Sequence, residues 1–289
     1  MGLRFKFNLA LLAALAVGHG LGAIVLNRLV IDNARDEVLR SARLMMEAAN
    51  SIRTYTADEL VPLLPMERDG KFVVQTVPSY AAQKNFREIQ AAFAGYSYRE
   101  AALNPTNLSD RAQDWEADII NTFRSDAARL ELTLERDTSV GPSLYLARPI
   151  VVKQECLACH TTPGGAPAAM VHDYGSANGF GWKLGETIGA QILAIPMALP
   201  LKLARDVYIT FMITLLVVFA IIAVILNVLL HYMVIHPVKR VSAMADAVSL
   251  GNEEVETYIK PGKDEISSLS VSFNRMRQSL DHAMQMLKG

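Results

Sequence analysis

Cysteine is nearly absent from this chain: there are two in 289 residues, three positions apart. A disulfide between them would staple almost nothing, because stabilisation scales with the loop that is closed. No second C-x-x-C pair exists to complete a structural zinc site, which takes four ligands. Charge of either sign is also missing in excess, with 28 Lys and Arg against 29 Asp and Glu. A nucleic-acid partner wants a concentrated basic face, so that class is set aside. From Val207 to Ile235 there is no charged residue at all.

What is there instead is apolar, 51% of the chain. Two runs reach the ~20 residues that a helix needs to cross a bilayer. The first spans 7–30 and the second 207–235. The first also has a rival reading as a cleaved signal, because Arg4 and Lys6 give it a basic start. Its apolar stretch is longer than a signal core, and the helical pattern continues past it without a cut point. It is therefore read as an uncleaved membrane helix, in which Gly18 and Gly22 allow close helix approach. Basic residues collect on the cytoplasmic side of such helices. Arg4 and Lys6 before the first, and Lys239 and Arg240 after the second, place residues 1–6 and 236–289 in the cytoplasm and 31–206 outside. Arg28, Arg35, Lys202 and Arg205 weaken that signal.

The tail has its own pattern. Pro237 separates the membrane helix from a new one by its fixed φ and missing donor. Val238, Val241, Ala245 and Val248 mark one face of that helix, and Gly251 ends it. Val255 and Ile259 lie on an extended connector before Pro261-Gly262. Asp264 and Glu265 open a last helix, where negative charge meets the positive dipole end. Along it Ile266, Leu269, Phe273, Met276, Leu280, Ala283 and Leu287 form a heptad seam that needs partner helices. Helix, glycine, connector and helix after a membrane span resemble a HAMP linker domain, carried by Pro237, Gly251 and "DEISSLSVSFNRM". The resemblance implies a homodimeric parallel bundle. The bland alternative is an amphipathic tail with no signalling role. No kinase, cyclase or methyl-accepting segment follows in this sequence, so output is expected through a separate effector.

The two cysteines stand in "KQECLACHTT". A thioredoxin-like redox motif gives no role to the histidine that follows. Covalent haem uses every residue: two thiols for two vinyl groups, and His160 as the proximal iron ligand. One haem c held by Cys156 and Cys159 is the expected cofactor.

Around the motif the expected fold is α+β, a PAS/Cache-like haem domain. A long helix runs from the membrane to about Leu64, and Lys71 to Pro78 reads as a short strand. A helical stretch leads to a strand near Tyr96 to Arg99, and Asp110 to Ala127 reads as helix. "RLELTLERD" and "SLYLARPIVV" alternate as antiparallel strands, and "AQILAIPM" forms the terminal strand. Four ordered stretches, "RTYTADELVPLL", "YSYREAALNPTNLSDRAQDWE", "ARPIVVKQECLACH" and "GFGWKLGETIGAQI", resemble a family of membrane-bound c-type haem domains long catalogued as a domain of unknown function. The resemblance implies redox or gas sensing outside a bacterial inner membrane, in the periplasm. One family member uses a cysteine as second axial ligand; this chain has no third cysteine, so that ligand does not carry over. Met46 and Met45 lead the distal candidates, followed by His172 and an open or water-filled position. Tyr55, Met66 and Met170 are further options. Arg53, Arg99 and Arg148 are candidates for pairing with haem propionates, against ordinary ion pairs within the protein.

Three functions compete. A receptor for redox state or for a diatomic gas (NO, CO or O2) explains the order of the segments. A membrane-tethered electron carrier serving a redox partner needs no effector, but leaves the heptad seam without a reason. A haem enzyme such as a peroxidase lacks a recognisable distal acid–base pair, so the expectation is a non-enzyme.

Overall fold

The computed structural model describes residues 2–139, 141–251 and 257–288. Val255 of the connector and the side chain of Leu287 lie outside what is described. The chain divides into two compact units, Leu26–Tyr208 and Met1–Val25 with Ile209–Gly289.

In the first unit, four antiparallel strands form a sheet in the order β3-β6-β5-β4. They are β3 (Ser97–Ala102), β4 (Leu132–Thr138), β5 (Gly141–Val151) and β6 (Thr187–Pro196). β4 and β5 form the expected hairpin, and β6 inserts between β3 and β5. Side chains alternate across the sheet with period two, so each strand feeds two cores. Tyr98, Leu144, Leu146, Leu193 and Ile195 pack with Val38, Met46 and Ala49 of helix α1 (Leu3–Tyr55) and Phe86 of α2 (Pro78–Ala92). Ala101, Ala147, Ala190 and Ile192 face the other way, onto Ile119, Ile120 and Phe123 of α3 (Asp114–Ser125). Burying each such large side chain is worth about 1.5–3 kcal/mol. The result is a mixed helix–sheet unit.

Several local expectations shift. The helix expected to reach Leu64 ends in one wide π-turn, Thr56–Leu60, ahead of Pro62. The stretch 71–78 contributes only two strand residues, β2 (Lys71–Phe72), paired with β1 (Glu67–Arg68). Val74–Thr76 is instead a 3-10 turn that leads into Pro78 at the start of α2. α3 begins at Asp114, where the Glu116 carboxylate accepts from the Gln113 N–H at 2.8 Å.

Two helical stretches, Leu3–Leu60 and Ala198–Ser249, are long and apolar enough to cross a membrane. In the second unit, Gly22 faces Leu215, and a β-carbon there would sit 3.8 Å from its side chain. Pro237 does not break the helix as the sequence suggests. α6 (Ala198–Leu230) passes through a π-turn, His231–Ile235, directly into α7 (His236–Ser249). The His236 N–H reaches back to the His231 carbonyl, and this widened turn accommodates a residue without a donor.

Gly251 closes α7 at φ +79, donating to the Val248 carbonyl at 3.1 Å. Before α8 (Glu265–Lys288), Asp264 caps the helix by accepting from the Ser267 N–H at 2.7 Å and its hydroxyl at 2.6 Å. Within one chain the heptad seam stays open: Leu269, Met276 and Leu280 are half exposed, whereas Ser267, Ser270 and Asn274 are buried.

The hydrogen bonds from Lys260 and Ser267 hold the Asp264 carboxyl well below its usual range. A depressed carboxylate stabilises the fold above its ordinary titration and loses that contribution as pH falls through the native value. Asp264→Ala is expected to speed hydrogen exchange in the first turn of α8, while Asp264→Asn, itself a good cap, preserves protection. Equal protection in both variants would remove the cap from this account.

Candidate cofactor site

Cys156 ends a 3-10 turn (Gln154–Cys156) that continues into the four-residue helix α4 (Leu157–His160). Because 156 and 159 are three apart in helical backbone, their thiols share one face. Both are free and partly exposed. Burial pushes the Cys159 thiol up, with a further contribution from Cys156. Its Sγ lies 4.0 Å from the Met66 sulfur, just ahead of β1.

His160 is held from several sides. Its Nδ1 is 2.7 Å from the carbonyl oxygen of Gly179, and 3.4 Å from the Thr106 hydroxyl. A carbonyl only accepts, so Nδ1 carries the proton and Nε2 keeps its lone pair. Burial lowers the imidazole pKa, against a smaller opposing effect from the Gly179 carbonyl. That favours the neutral ring, the form in which an imidazole binds a metal. Trp182 stacks on it with centroids 3.8 Å apart and planes 13° from parallel.

A glycine-rich loop supplies these partners. Trp182 donates to the His160 carbonyl at 3.2 Å and Gly181 to the Thr161 carbonyl at 3.0 Å, so the open end of α4 is satisfied. Gly179 adopts φ +81, and a β-carbon there would overlap the Thr106 hydroxyl oxygen and stand 2.8 Å from the α-carbon of that residue. Only glycine fits. The sequence pattern does not mark Gly179, Thr106 and Trp182 as partners of His160, although Thr106 stands inside the quoted "YSYREAALNPTNLSDRAQDWE" and Gly179 and Trp182 inside "GFGWKLGETIGAQI".

The donor set fits one porphyrin: two thiols on one helical face beside an imidazole whose Nε2 is free. Among the described residues no group of three or more His, Cys, Asp and Glu side chains converges.

The remaining candidates are dispersed. Met46 is fully buried in the α1–sheet core, and Met45 packs against that core. His172, on α5 (Ala168–Tyr174), is exposed and lies 2.9 Å from its neighbour Asp173, while Met170 is buried. Tyr55 is exposed on the rim of a cavity of about 420 Å³ between α1 and α2. Of the sulfur and imidazole candidates, Met66 is the one whose sulfur touches the motif.

The three arginines are engaged by protein carboxylates. Arg148 binds Glu47 at 2.5 Å and Glu131 at 3.2 Å, and Arg99 lies 3.1 Å from Glu116. Arg53 pairs with Glu100, whose other oxygen accepts from the Tyr98 hydroxyl at 2.8 Å. Gln191 then links Tyr98 to Asn50 of α1, with both distances at 2.9 Å. Burial is the largest single effect and opposes the Arg53 charge, but Glu100, Tyr98 and Cys156 together raise the guanidinium pKa above its ordinary value.

Comparison with known proteins gives three findings. The Tll0287-like family, described as Tll0287, matches residues 31–196, and the HAMP domain matches residues 229–282. No curated protein matches the chain. Among solved structures, the cyanobacterial heme-protein Tll0287 aligns at 21% identity and a TM-score of 0.44, over 55% of this chain and 95% of that one. With more than half of its length matched, the chain belongs to the Tll0287-like family of haem-binding sensor domains, here followed by a HAMP domain.

Proposed function

We propose that this protein is a membrane-anchored c-type haem sensor of redox state or of a diatomic gas, acting through HAMP on a separate effector. The observation that carries the reading is the hydrogen bond from His160 Nδ1 to the Gly179 carbonyl, which frees Nε2 beside two unpaired thiols. In this reading Cys156 and Cys159 would hold one haem through thioether links to its vinyl groups, and His160 would be the proximal iron ligand. When bound, the haem would supply a redox-active iron able to bind a further ligand.

The other residues position that chemistry. Gly179 and Trp182 fix the imidazole plane, and Thr106 closes its edge. For the distal position Met66 is favoured by its approach to Cys159; Met46 and Met45 would have to leave the core, and His172 its exposed helix. Arg53, Arg99 and Arg148 reach propionates in this reading only by sharing or exchanging their carboxylate partners.

The organisation follows. Residues 1–6 and 236–289 are cytoplasmic, 7–30 and 207–235 cross a bacterial inner membrane, and 31–206 form the periplasmic haem domain. The half-exposed seam of α8 supports a homodimer, because such a stripe is buried only by partner helices. The haem state must favour one arrangement of these helices over another, or nothing is transmitted.

The test is spectroscopic. The full chain, matured with haem-attachment machinery, is expected to give a c-type pyridine haemochrome that survives denaturation. Cys156→Ser/Cys159→Ser should lose it. Reduced spectra with and without CO then separate the stimuli: indifference to CO indicates a held sixth ligand and redox sensing, and a CO shift indicates gas sensing. In the first case Met66→Ala should make the iron CO-reactive. A chain that binds no covalent haem while a control cytochrome matures overturns the proposal.

A further inference from the structure

A second site lies far along the chain from the cysteines, in the unit formed by the first residues of α1 and by α6. There a cavity of about 770 Å³ opens between the two helices, within the size range of small-ligand sites. Its polar end carries Arg4, Asn8, Asn227, His231 and Tyr232, and its wall continues as Leu11, Leu12, Val224 and Val228. A charged head and an apolar body at adjoining depths are the shape of a lipid.

Charge narrows the class. The Arg4 guanidinium donates to Nδ1 of His231 and stays charged at the mouth of the cavity. No aspartate or glutamate occurs before Asp32 or between Val207 and Ala245. Arg4 and nearby Lys6 are therefore cations at the end of an apolar helix with no carboxylate in either segment. A phosphodiester accepts in the paired geometry that a guanidinium offers. A zwitterionic headgroup would bring its own ammonium, which finds no acid here. Asn227 already donates to the Ala223 carbonyl at 2.9 Å, leaving its side-chain oxygen to accept from a headgroup hydroxyl.

We propose that the Arg4–His231 cavity binds the headgroup of an anionic phospholipid from the leaflet on the HAMP side. The π-turn His231–Ile235 carries His231 and Tyr232 and leads directly into α7, so the bound headgroup braces the junction where the apolar helix becomes the HAMP helix. The inference rests on the membrane reading above.

The full chain in nanodiscs of mixed phosphatidylcholine and phosphatidylglycerol tests it, with retained lipid counted by native mass spectrometry. One phosphatidylglycerol per chain is expected, preferred roughly fivefold, the worth of one basic residue at a membrane surface. Arg4→Gln should abolish the preference, and Lys239→Gln, outside the cavity, should leave it. Equal retention of both lipids, an unchanged preference in Arg4→Gln, or lipid-free dimers in which a second copy fills the groove would each overturn it. Alkaline carbonate extraction separates the two claims: a chain that washes off the membrane overturns both, and an inserted chain without lipid preference overturns this one alone.

Discussion

Gly179→Ala is expected to lower the melting temperature of the haem-loaded chain by about 6–12 °C and, with His160 as the proposed iron ligand, to disturb the iron site. The residue sits at φ +81, where a β-carbon costs about 1–2 kcal/mol. That carbon would also overlap the Thr106 hydroxyl oxygen and stand 2.8 Å from the backbone α-carbon behind it. A side-chain oxygen can rotate away, but a backbone atom cannot, so the loop itself must move. Moving it breaks the 2.7 Å hydrogen bond to His160, a further 0.5–1.5 kcal/mol. The sum is about 3 kcal/mol, at 2–4 °C per kcal/mol for a domain of this size. Calorimetry checks the stability, and the iron's reduction potential checks the imidazole. Adding Thr106→Ala should recover only part of the loss, because the backbone of residue 106 still stands in the way. A variant as stable as the wild type, with an unchanged potential, would show that the Gly179 carbonyl does not hold His160.

Arg53→Met is expected to destabilise the protein by about 3 kcal/mol, near the low end for breaking a buried ion pair. Glu100 is 4% exposed and Arg53 26%, so water reaches the cation more readily than the anion. Removing Arg53 leaves Glu100 with the Tyr98 hydroxyl as its hydrogen-bond partner, a neutral donor that cannot balance a charge. The cost falls on α1, since Arg53 and Asn50 are its two attachments to this network across β3 and β6. Replacing both members, Arg53→Met with Glu100→Gln, should recover most of the loss, because no uncompensated charge then remains. Urea denaturation of both variants measures it. A single-variant loss below about 1 kcal/mol would mean that solvent, and not Arg53, balances Glu100.

These two results depend on features of different legibility. Arg53 was readable as a functional cation near a family-like motif, yet its partner Glu100 was not, because a carboxylate 47 residues away meets it only once β3 packs on α1. Gly179 was one of several glycines in a crowded loop. Its need for glycine comes from its own φ of +81 and from Thr106, on a different loop, and the sequence records neither. The methionines show the same limit. Met45 and Met46 lead the distal candidates because they lie on the N-terminal helix, and the sheet core claims them instead. Met66 had no periodicity to mark it, and only the chain path through β1 brings it to Cys159.

Pro237 marks a different failure. Its missing donor predicts a break, but a π-turn directly before it shifts the hydrogen-bond ladder, and the helix runs on.

What the sequence by itself determined is whatever short-range repetition encodes. This includes the two apolar helices, the alternating strands of the β4–β5 hairpin, the capped last helix with its seam, and two thiols and an imidazole at helical spacing. What only the tertiary structure decided is which groups from distant segments meet: β6 between β3 and β5, Gly179 on His160, Met66 on Cys159, Glu100 on Arg53. The reason is physical. Periodicity and capping act within a turn or two of backbone, whereas these meetings occur when separate segments bury their apolar faces on one sheet, and no local pattern records that geometry.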